Sequence, residues 1–339
     1  MNFNKDIITC IDNIDFTSVF EIQEKDNQNI KKNLKEMLQN KDFHRALDNI
    51  YIPILSSLTP PPSINKTDIT NSTNIVYLNN VYLNKKSIVK TINLDEEDEG
   101  EDRGRQKIIK IKEIIFEVII NLIFYNLTKD NDLSCPEPYH LYKDNNQLYY
   151  YQEQIDGKEI HTLDAKEMLN SLIIICQQLE YLQQQFTFSH RDFKSDNVLY
   201  NIETNKVYVI DFGYACISGL ECSRSIKSDE NTAYIDKMQK CDNKATDICF
   251  LILSIFANMG QQEKPKFIKS LAKKICKIYG GYELNNVYET FTANKWTPTE
   301  ILKKLRPYEF CYNSDSSYSS SSSSSYSSSS SSSASYESD

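Results

Sequence analysis

One short segment of the chain carries most of the residues whose types and spacing could do chemistry. The segment SHRDFKSDNVLY, residues 189–200, places a carboxylate, an amine and an amide within six positions, at Asp192, Lys194 and Asn197. A second carboxylate, Asp211, follows eleven residues after its end, in the tripeptide DFG. Transfer of a γ-phosphoryl group needs little covalent chemistry from a protein, but it needs charge neutralisation and an aligned oxygen nucleophile. These residue types fit that reaction.

Each of the four polar side chains suits a separate part of phosphoryl transfer. The Asp192 carboxylate can accept the proton of the attacking hydroxyl or orient that hydroxyl, and the Lys194 amine can reach the γ-phosphate. The Asn197 amide oxygen and the Asp211 carboxylate are hard oxygen donors of the kind that Mg²⁺ takes. The residues therefore predict ATP and Mg²⁺ as cofactors, with Asp192 and Lys194 catalytic and Asn197 and Asp211 at the metal.

The two motifs resemble the catalytic loop and the magnesium motif of eukaryotic-type protein kinases. HRDFKSDN is similar to the pattern H-R-D-x-K-x-x-N, and DFG matches the family's D-F-G. A helix-like segment leads into the loop, and the strand-like runs NVLYNI and KVYVI lie between the loop and DFG. The resemblance implies an α+β, two-lobed protein-kinase-like fold, with a small, mainly antiparallel β lobe and a larger, mainly helical lobe.

The resemblance extends to the residues that would hold the phosphates of ATP. Lys90 in SIVKTI is similar to the strand Lys that contacts the α- and β-phosphates, and its partner in the family is a Glu on the following helix, predicted here over 106–127. Glu117 is favoured as that partner, because a carboxylate within the apolar run IIFEVIINL is costly to bury unless it is paired. Glu113, one helical turn earlier and on nearly the same face, stays open as the alternative.

The same resemblance implies an adenine pocket. YYYQEQIDG is similar to the hinge between the lobes, where the backbone carbonyl of Glu153 and the backbone amide of Ile155 would contact adenine. Val76 would form the apolar roof of the pocket, and Leu199, two residues after Asn197, would form its floor.

Two further residues take supporting roles on the same basis. Asp247 in TDICFLILSI resembles the Asp of a central buried helix that holds the catalytic-loop backbone, although an Asp that opens a helix is also a common first-turn charge. Arg191 resembles the family's partner for a phosphate on the activation loop. The candidate acceptors of that phosphate in ECSRSIKSDENTAY are Ser223, Ser225, Ser228 and Thr232.

Three features depart from the protein-kinase pattern. The Gly-rich loop is missing, because no glycine precedes Gly100 and Asn71 and Asn74 stand where two of its glycines belong. Asn tolerates a left-handed backbone better than most residues do, so a tight turn stays feasible there. Ile88 replaces the small residue two positions before the Lys, and no A-P-E motif follows DFG.

Composition sets limits on the partners and the compartment of this 339-residue chain. A net charge of −9 argues against nucleic acid or an anionic membrane as the main partner. Nine cysteines without C-x-x-C spacing favour a reducing compartment over a disulfide scaffold. Neither a signal peptide nor an apolar run long enough to span a bilayer is recognisable, so an intracellular, cytoplasmic location is expected.

The chain divides into four predicted regions. A helical extension occupies 1–66, the kinase-like β lobe 67–157, the kinase-like helical lobe 158–310, and a Ser-rich tail 311–339. The tail is expected to be disordered, since it has too little apolar surface to bury. The acidic run DEEDEGED at 95–102 reads as a solvated loop.

Taken together, the sequence predicts a divergent ATP-dependent serine/threonine protein kinase. Lys194 favours Ser or Thr as the acceptor, since the tyrosine-directed branch of the family usually lacks this Lys. Two alternatives stay open. The missing glycines and the missing A-P-E favour a non-catalytic binding module, whereas DFG and Lys194 argue against a small-molecule kinase of the aminoglycoside or choline type. The protein substrate and the oligomeric state stay unknown.

Overall fold

The protein is seen in a computed structural model that describes residues 3–39, 43–64, 69–70, 75–94, 103–221, 244–260, 263–279 and 296–314. Several predicted features lie outside the described residues. They are Asn71 and Asn74, the acidic run at 95–102, the four candidate phosphate acceptors, the short helix predicted at 284–291, and the tail beyond residue 314.

The N-terminal region is helical and contains α1 Phe3–Asn13, α2 Thr17–Phe20, α3 Glu24–Leu38 and α4 Phe43–Ser57. The sequence pattern predicts one helical stretch over 27–58. The structure divides that stretch between α3 and α4 and adds two helices before it. Periodicity does not locate a helix end, because the same apolar spacing can continue across a short connection.

Five strands form one antiparallel sheet, namely β1 Ile69–Thr70, β2 Ile75–Tyr82, β3 Lys85–Asn93, β5 Pro138–Asp144 and β6 Gln147–Glu153. Their order across the sheet is β1-β2-β3-β6-β5. The β-branched and aromatic residues of runs such as IVYLNNVY favour extended backbone. Leu83 and Asn84 form the tight turn between β2 and β3, both at positive φ, 48° and 65°, as the type I′ hairpin turn requires.

The register of this sheet aligns the residues that face the candidate site. Lys90 of β3 lies directly opposite both Val76 of β2 and Tyr150 of β6. Residues that oppose each other in antiparallel strands share one face of the sheet, so these three side chains project from the same face. The long helix α5, Arg103–Thr128, brings Glu117 to that face.

The N-terminal helices share the core of the rest of the chain. α2 packs against β5, and α1 and α4 pack against α5. Fully buried side chains of this region, such as Ile11, Phe16 and Phe20, belong to the same apolar cluster as Ile119 of α5. The region predicted as an extension is therefore continuous with the core.

The second half of the chain is mainly helical and contains α6 Ala165–Phe186, α7 Thr246–Asn258, α8 Lys266–Tyr279 and α9 Pro298–Ser314. A capping box begins α6, because the Asp164 carboxylate accepts a hydrogen bond from the Glu167 amide while the Glu167 side chain accepts one from the Asp164 amide. α9 continues beyond residue 305, where the pattern predicts its end, and includes residues 311–314 that the prediction assigns to the tail.

Short strands surround the segment that carries the motifs. β9 Val198–Asn201 and β10 Lys206–Val209 form an antiparallel pair, flanked by β4 Leu133–Ser134 and β7 Lys158–Glu159. A second small sheet contains β8 Phe188–Ser189, β11 Cys216–Ile217 and β12 Leu220–Glu221. The antiparallel sheet with α5 and the helical second half confirm the predicted α+β class, and they are consistent with a two-lobed kinase-like fold.

Two findings bear on the expectations from composition. Cys216 is disulfide-bonded, whereas the described free cysteines are all buried. They are Cys10, Cys135, Cys176, Cys249 and Cys276. Among the described helices, none combines the length and the apolar character that crossing a membrane requires.

Candidate active site

Three charged side chains from separate elements meet at the centre of the candidate site. Lys90 Nζ on β3 lies 2.9 Å from Glu117 Oε1 on α5 and 3.4 Å from Asp211 Oδ1 after β10. The Lys90 and Glu117 side chains are only 14% and 10% exposed, whereas that of Asp211 is 46% exposed. The pair is thus largely shielded from water while Asp211 faces an open side. Glu117, and not its rival Glu113, contacts Lys90.

Charge and burial compete within this cluster. Burial works to lower the pKa of Lys90, but the Glu117 and Asp211 carboxylates outweigh it and hold that pKa well above its usual range. Burial also works to raise the pKa of Asp211, but Lys90 and His190 outweigh it and hold that pKa below its usual value. For Glu117, burial prevails over Lys90 and raises the pKa. Near neutral pH Lys90 is therefore a cation and Asp211 an anion.

The catalytic-loop motif forms a second cluster around Asp192. Lys194 Nζ lies 3.0 Å from Asp192 Oδ2, and Asn197 Nδ2 donates to the same carboxylate oxygen at 3.0 Å and to the Asp192 carbonyl at 2.9 Å. Burial works to lower the pKa of Lys194, but Asp192 outweighs it and raises that pKa. Because the Asn197 nitrogen makes both hydrogen bonds, its amide oxygen is the atom left to serve as a ligand.

The strand pair β9–β10 joins the two clusters. Val198 lies opposite Val209 in this pair, and the Ile210 amide donates to the Asn197 carbonyl at 3.0 Å. Asn197 and Asp211 therefore stand next to each other although fourteen positions separate them in the chain. Lys194 is near enough to Asp211 to contribute to lowering the pKa of Asp211, after the larger effects of burial, Lys90 and His190.

Asp211 takes a left-handed backbone conformation, with φ at 67°. The next residue, Phe212, is buried and packs against Phe124 of α5 and His190, with ring centroids 5.0 and 5.2 Å apart. His190 Nε2 donates to the Ile210 carbonyl at 3.1 Å. The aromatic side chain thus anchors the strained turn and directs the Asp211 carboxylate toward Lys90.

A fully buried carboxylate holds the backbone of the catalytic loop. Asp247 on α7 accepts hydrogen bonds from the His190 amide at 2.8 Å and from the Arg191 amide at 2.9 Å. Arg191 is at a positive φ of 64°, a conformation that needs such external support. Burial raises the pKa of Asp247, and the hydrogen bonds oppose that rise without cancelling it.

Two polar residues of α7 were not anticipated from the sequence. Ser254 Oγ accepts a hydrogen bond from the Ser195 amide at 2.8 Å, and Asn258 Nδ2 donates to Ser195 Oγ at 2.8 Å. Together with Asp247 they lie seven and four positions apart, so they share one face of an otherwise apolar helix. That polar stripe was a signal available in the sequence.

The residues expected around adenine lie beside these clusters. Val76 is half-buried and shares the face of Lys90 in the sheet. Ile155 and Leu199 are both half-buried and meet at Gly157, where a Cβ atom would lie 3.3 Å from Ile155 Cγ2 and 3.2 Å from Leu199 Cβ. Glu153 ends β6, two residues before Ile155. Among the described residues no backbone carbonyl accepts a hydrogen bond from the Ile155 amide.

The donor set fits a magnesium-bound nucleotide. The carboxylate of Asp211 and the amide oxygen of Asn197 are hard donors, few in number, as Mg²⁺ bound to phosphates prefers. Lys90 and Lys194 both supply positive charge that acts on Asp211. The arrangement can neutralise a polyphosphate and place a carboxylate, Asp192, near the reacting end.

Another buried polar pair also escaped prediction from the sequence. Asn121 of α5 and Tyr150 of β6 are hydrogen-bonded, and both are almost fully buried. The available signal was a lone Asn within the apolar run that follows Glu117. Its partner could not be read from the sequence, because it lies on a distant strand.

Part of the chain matches the model of a known protein family. Residues 135–220 match the model of the Phosphotransferase enzyme family, a kinase-like superfamily. The matched part contains the hinge-like segment, α6, the Asp192 loop and Asp211, but neither Lys90 nor Glu117. A search of curated proteins gives no match. The match supports a kinase-like phosphotransferase and does not distinguish the class of acceptor.

Proposed function

We propose that the protein is an ATP- and Mg²⁺-dependent serine/threonine protein kinase. One observation carries the proposal: Lys90, the loop with Asp192 and Asn197, and Asp211 come from three separate segments of the chain and form one electrostatically connected cluster. Residues 67–157 and 158–310 would be the two lobes, joined at the hinge-like segment. If these four side chains had faced different surfaces of the protein, the proposal would have had no structural support.

In the proposed reaction each side chain has a separate role. Asp192 takes or orients the proton of the acceptor hydroxyl, and Lys194 neutralises charge on the transferred phosphoryl group. Lys90, held by Glu117, binds the α- and β-phosphates. When bound, Mg²⁺ supplies further positive charge at the phosphates, and Asn197 and Asp211 are the residues that would hold it. Val76, Leu199 and the backbone of Glu153 and Ile155 would hold adenine.

A second acceptor class has an observation in its favour. The matched family includes small-molecule kinases, and the match covers the catalytic loop. On the other side, Lys194 stands two residues after Asp192, the position that the resemblance to protein kinases implies, and its amine lies 3.0 Å from the Asp192 carboxylate. We therefore favour a protein hydroxyl as the acceptor and keep a small-molecule alcohol as the alternative.

The experiment is a transfer assay with radiolabelled ATP on the purified full chain. Generic protein acceptors and small alcohols are offered in parallel, with Asp192→Asn as the test variant and exposed Asp130→Asn as its matched control. Loss of a positioned base lowers turnover by about 10²- to 10⁴-fold, so Asp192→Asn should nearly abolish labelling while Asp130→Asn keeps it.

The outcomes separate the candidate functions. Protein-bound label that depends on Asp192 supports the proposal, and label on small alcohols alone moves the acceptor to that class. Magnesium-dependent binding of ATP without any turnover would identify a non-catalytic binding module. Unchanged transfer in Asp192→Asn would remove Asp192 from the mechanism.

A further inference from the structure

A buried polar pair lies beside the candidate site and has no role in the reaction above. Asn121 Nδ2 donates a hydrogen bond to Tyr150 Oη at 2.7 Å. The two residues are only 3% and 2% exposed, within the apolar core between α5 and the sheet. A buried polar group that loses its hydrogen-bond partner destabilises the folded chain, so this hydrogen bond favours the arrangement of α5 and β6 that keeps it intact.

The Asn121–Tyr150 hydrogen bond lies beside the Lys90–Glu117 ion pair and, like it, joins α5 to the sheet. Tyr150 is the residue of β6 directly opposite Lys90 of β3. Asn121 follows Glu117 by four positions, which places it one turn along the same face of α5. The sheet therefore contacts the helix at two neighbouring points. Lys90 forms an ion pair with Glu117, and Tyr150 forms a neutral hydrogen bond with Asn121.

A third group fixes the orientation of the Asn121 amide. Cys135 Sγ lies 2.9 Å from Asn121 Oδ1 and 3.7 Å from the Asn121 carbonyl. Burial raises the pKa of the Cys135 thiol well above its usual range, so the group stays protonated and donates. The amide nitrogen and the amide oxygen of Asn121 are thus both used, and the nitrogen loses its acceptor on β6 if α5 moves away from the sheet.

We propose that Asn121 and Tyr150 are positioning residues that hold α5 against the sheet and thereby keep Glu117 at Lys90. The inference rests on the proposed function, because it deepens the role of the Lys90–Glu117 pair in binding ATP. Its physical basis is the difference between the two contacts. An outward shift of α5 could leave the charged pair partly solvated, but it would strand two neutral polar groups in apolar surroundings.

The first measurement reads the position of Glu117 without any nucleotide. An amine-acylating reagent reports how accessible a lysine amine is, and mass spectrometry measures the rate at Lys90, whose side chain is only 14% exposed. In Tyr150→Phe the Asn121 nitrogen loses its acceptor, α5 shifts outward, and the Lys90 amine loses the Glu117 carboxylate that covers it. We expect acylation of Lys90 to rise by about 5- to 30-fold, the range for one lost buried hydrogen bond. The rate at Lys143 on β5 should stay constant.

A matched variant controls for the loss of a tyrosine hydroxyl. Tyr149 is the next residue of β6, is also buried, and projects from the opposite face of the sheet, where its hydroxyl donates to Gln147. Tyr149→Phe should leave the acylation rate of Lys90 at the value of the parent chain.

The second measurement is the affinity for MgATP, with a rescue built in. Tyr150→Phe strands the Asn121 nitrogen, and Asn121→Leu strands the Tyr150 hydroxyl while the Cys135 thiol keeps the carbonyl of residue 121 as an acceptor. Each variant should weaken binding by about 5- to 30-fold. The double variant removes both polar groups with side chains of similar shape, so it should recover most of the affinity and the slow acylation of Lys90. It also guards against a single variant that fails to fold.

The outcomes distinguish this inference from the proposed function. Faster acylation of Lys90 in Tyr150→Phe, reversed in the double variant, supports the positioning role even if the parent chain binds no MgATP, a result that would overturn the proposed function alone. Conversely, Tyr150→Phe with a lower melting temperature but with the acylation rate and affinity of the parent would show a packing role only, and it would overturn the inference.

Discussion

Asp247 is a single buried residue whose carboxylate holds a segment of backbone in place. It is 0% exposed, and both of its oxygens accept hydrogen bonds from consecutive amides of the catalytic loop. One of those amides belongs to Arg191, whose backbone is in the left-handed region. The carboxylate therefore stabilises a loop conformation that the chain would not adopt unaided.

A substitution at this residue has a definite expected cost. In Asp247→Ala the amides of His190 and Arg191 would be buried without partners, at about 1 to 3 kcal/mol each. We expect the free energy of unfolding, measured by urea titration, to fall by about 3 kcal/mol. Exposed Asp130→Ala is the control and should change it by less than about 0.5 kcal/mol. A similarly small loss in Asp247→Ala would show that the loop does not depend on this carboxylate.

The N-terminal helices decide, at the scale of elements, how α5 is held. α1 and α4 pack against α5, and Lys112 of α5 lies 2.6 Å from Asp48 of α4. That ion pair is half-exposed on one side, so its own contribution is small. The larger contribution comes from apolar burial. Phe20 is 0% exposed and stacks with Phe16 at a centroid distance of 6.4 Å.

Because the N-terminal helices share one core with the rest of the described chain, we expect the protein to unfold in a single transition. Phe20→Ala leaves a cavity in the shared core and should cost about 3 to 5 kcal/mol. Trp296, the only tryptophan, lies in the helical second half, where its carbonyl contacts Cys249 of α7. Its fluorescence should therefore report the full loss in Phe20→Ala, although the substitution is in α2. The control is Phe310→Ala, at a side chain that is 78% exposed.

An independent N-terminal extension would behave differently. The Trp296 transition would then stay at the urea concentration of the parent, while circular dichroism would show a separate loss of helix at lower urea. That result would contradict a shared core.

The stability of the whole molecule should depend on pH through two buried histidines. His190 is 0% exposed and His140 is 2% exposed. Burial lowers both pKa values below 6.5, although nearby carboxylates, Asp247 at His190 and Glu21 at His140, oppose that shift. Below pH 6.5 the unfolded chain takes up protons that the folded chain resists, so the histidine contribution lowers stability as pH falls.

The contribution of one histidine can be isolated by comparison. His140→Gln removes one depressed pKa, so from pH 7.5 to pH 5.5 the variant should lose less stability than the parent, by up to about 1.4 kcal/mol. Urea titrations of both chains at the two pH values measure the difference. Equal losses in both chains would mean that His140 is protonated as readily in the folded state as in the unfolded state.

Local spacing in the chain predicted the residues of one loop, and their resemblance to protein kinases implied the class of the fold. Asp192, Lys194 and Asn197 are close in sequence, so their types alone indicate phosphoryl transfer, and the periodic runs indicate α5, β6 and α6. The prediction of a kinase-like phosphotransferase agrees with the family match. The roles of the individual site residues stay predictions.

Contacts between distant elements needed the folded chain. The choice between Glu113 and Glu117 depends on how α5 is rotated against β3, and Lys90 meets Asp211 across 121 positions of sequence. The sharing of one core by α2 and α5, and the bond from Asn121 to Tyr150, have the same origin. Periodicity tells which face of an element is apolar, but the packing of many side chains sets the rotation and register of one element on another. Polar partners across that interface therefore become visible only when the elements are in place.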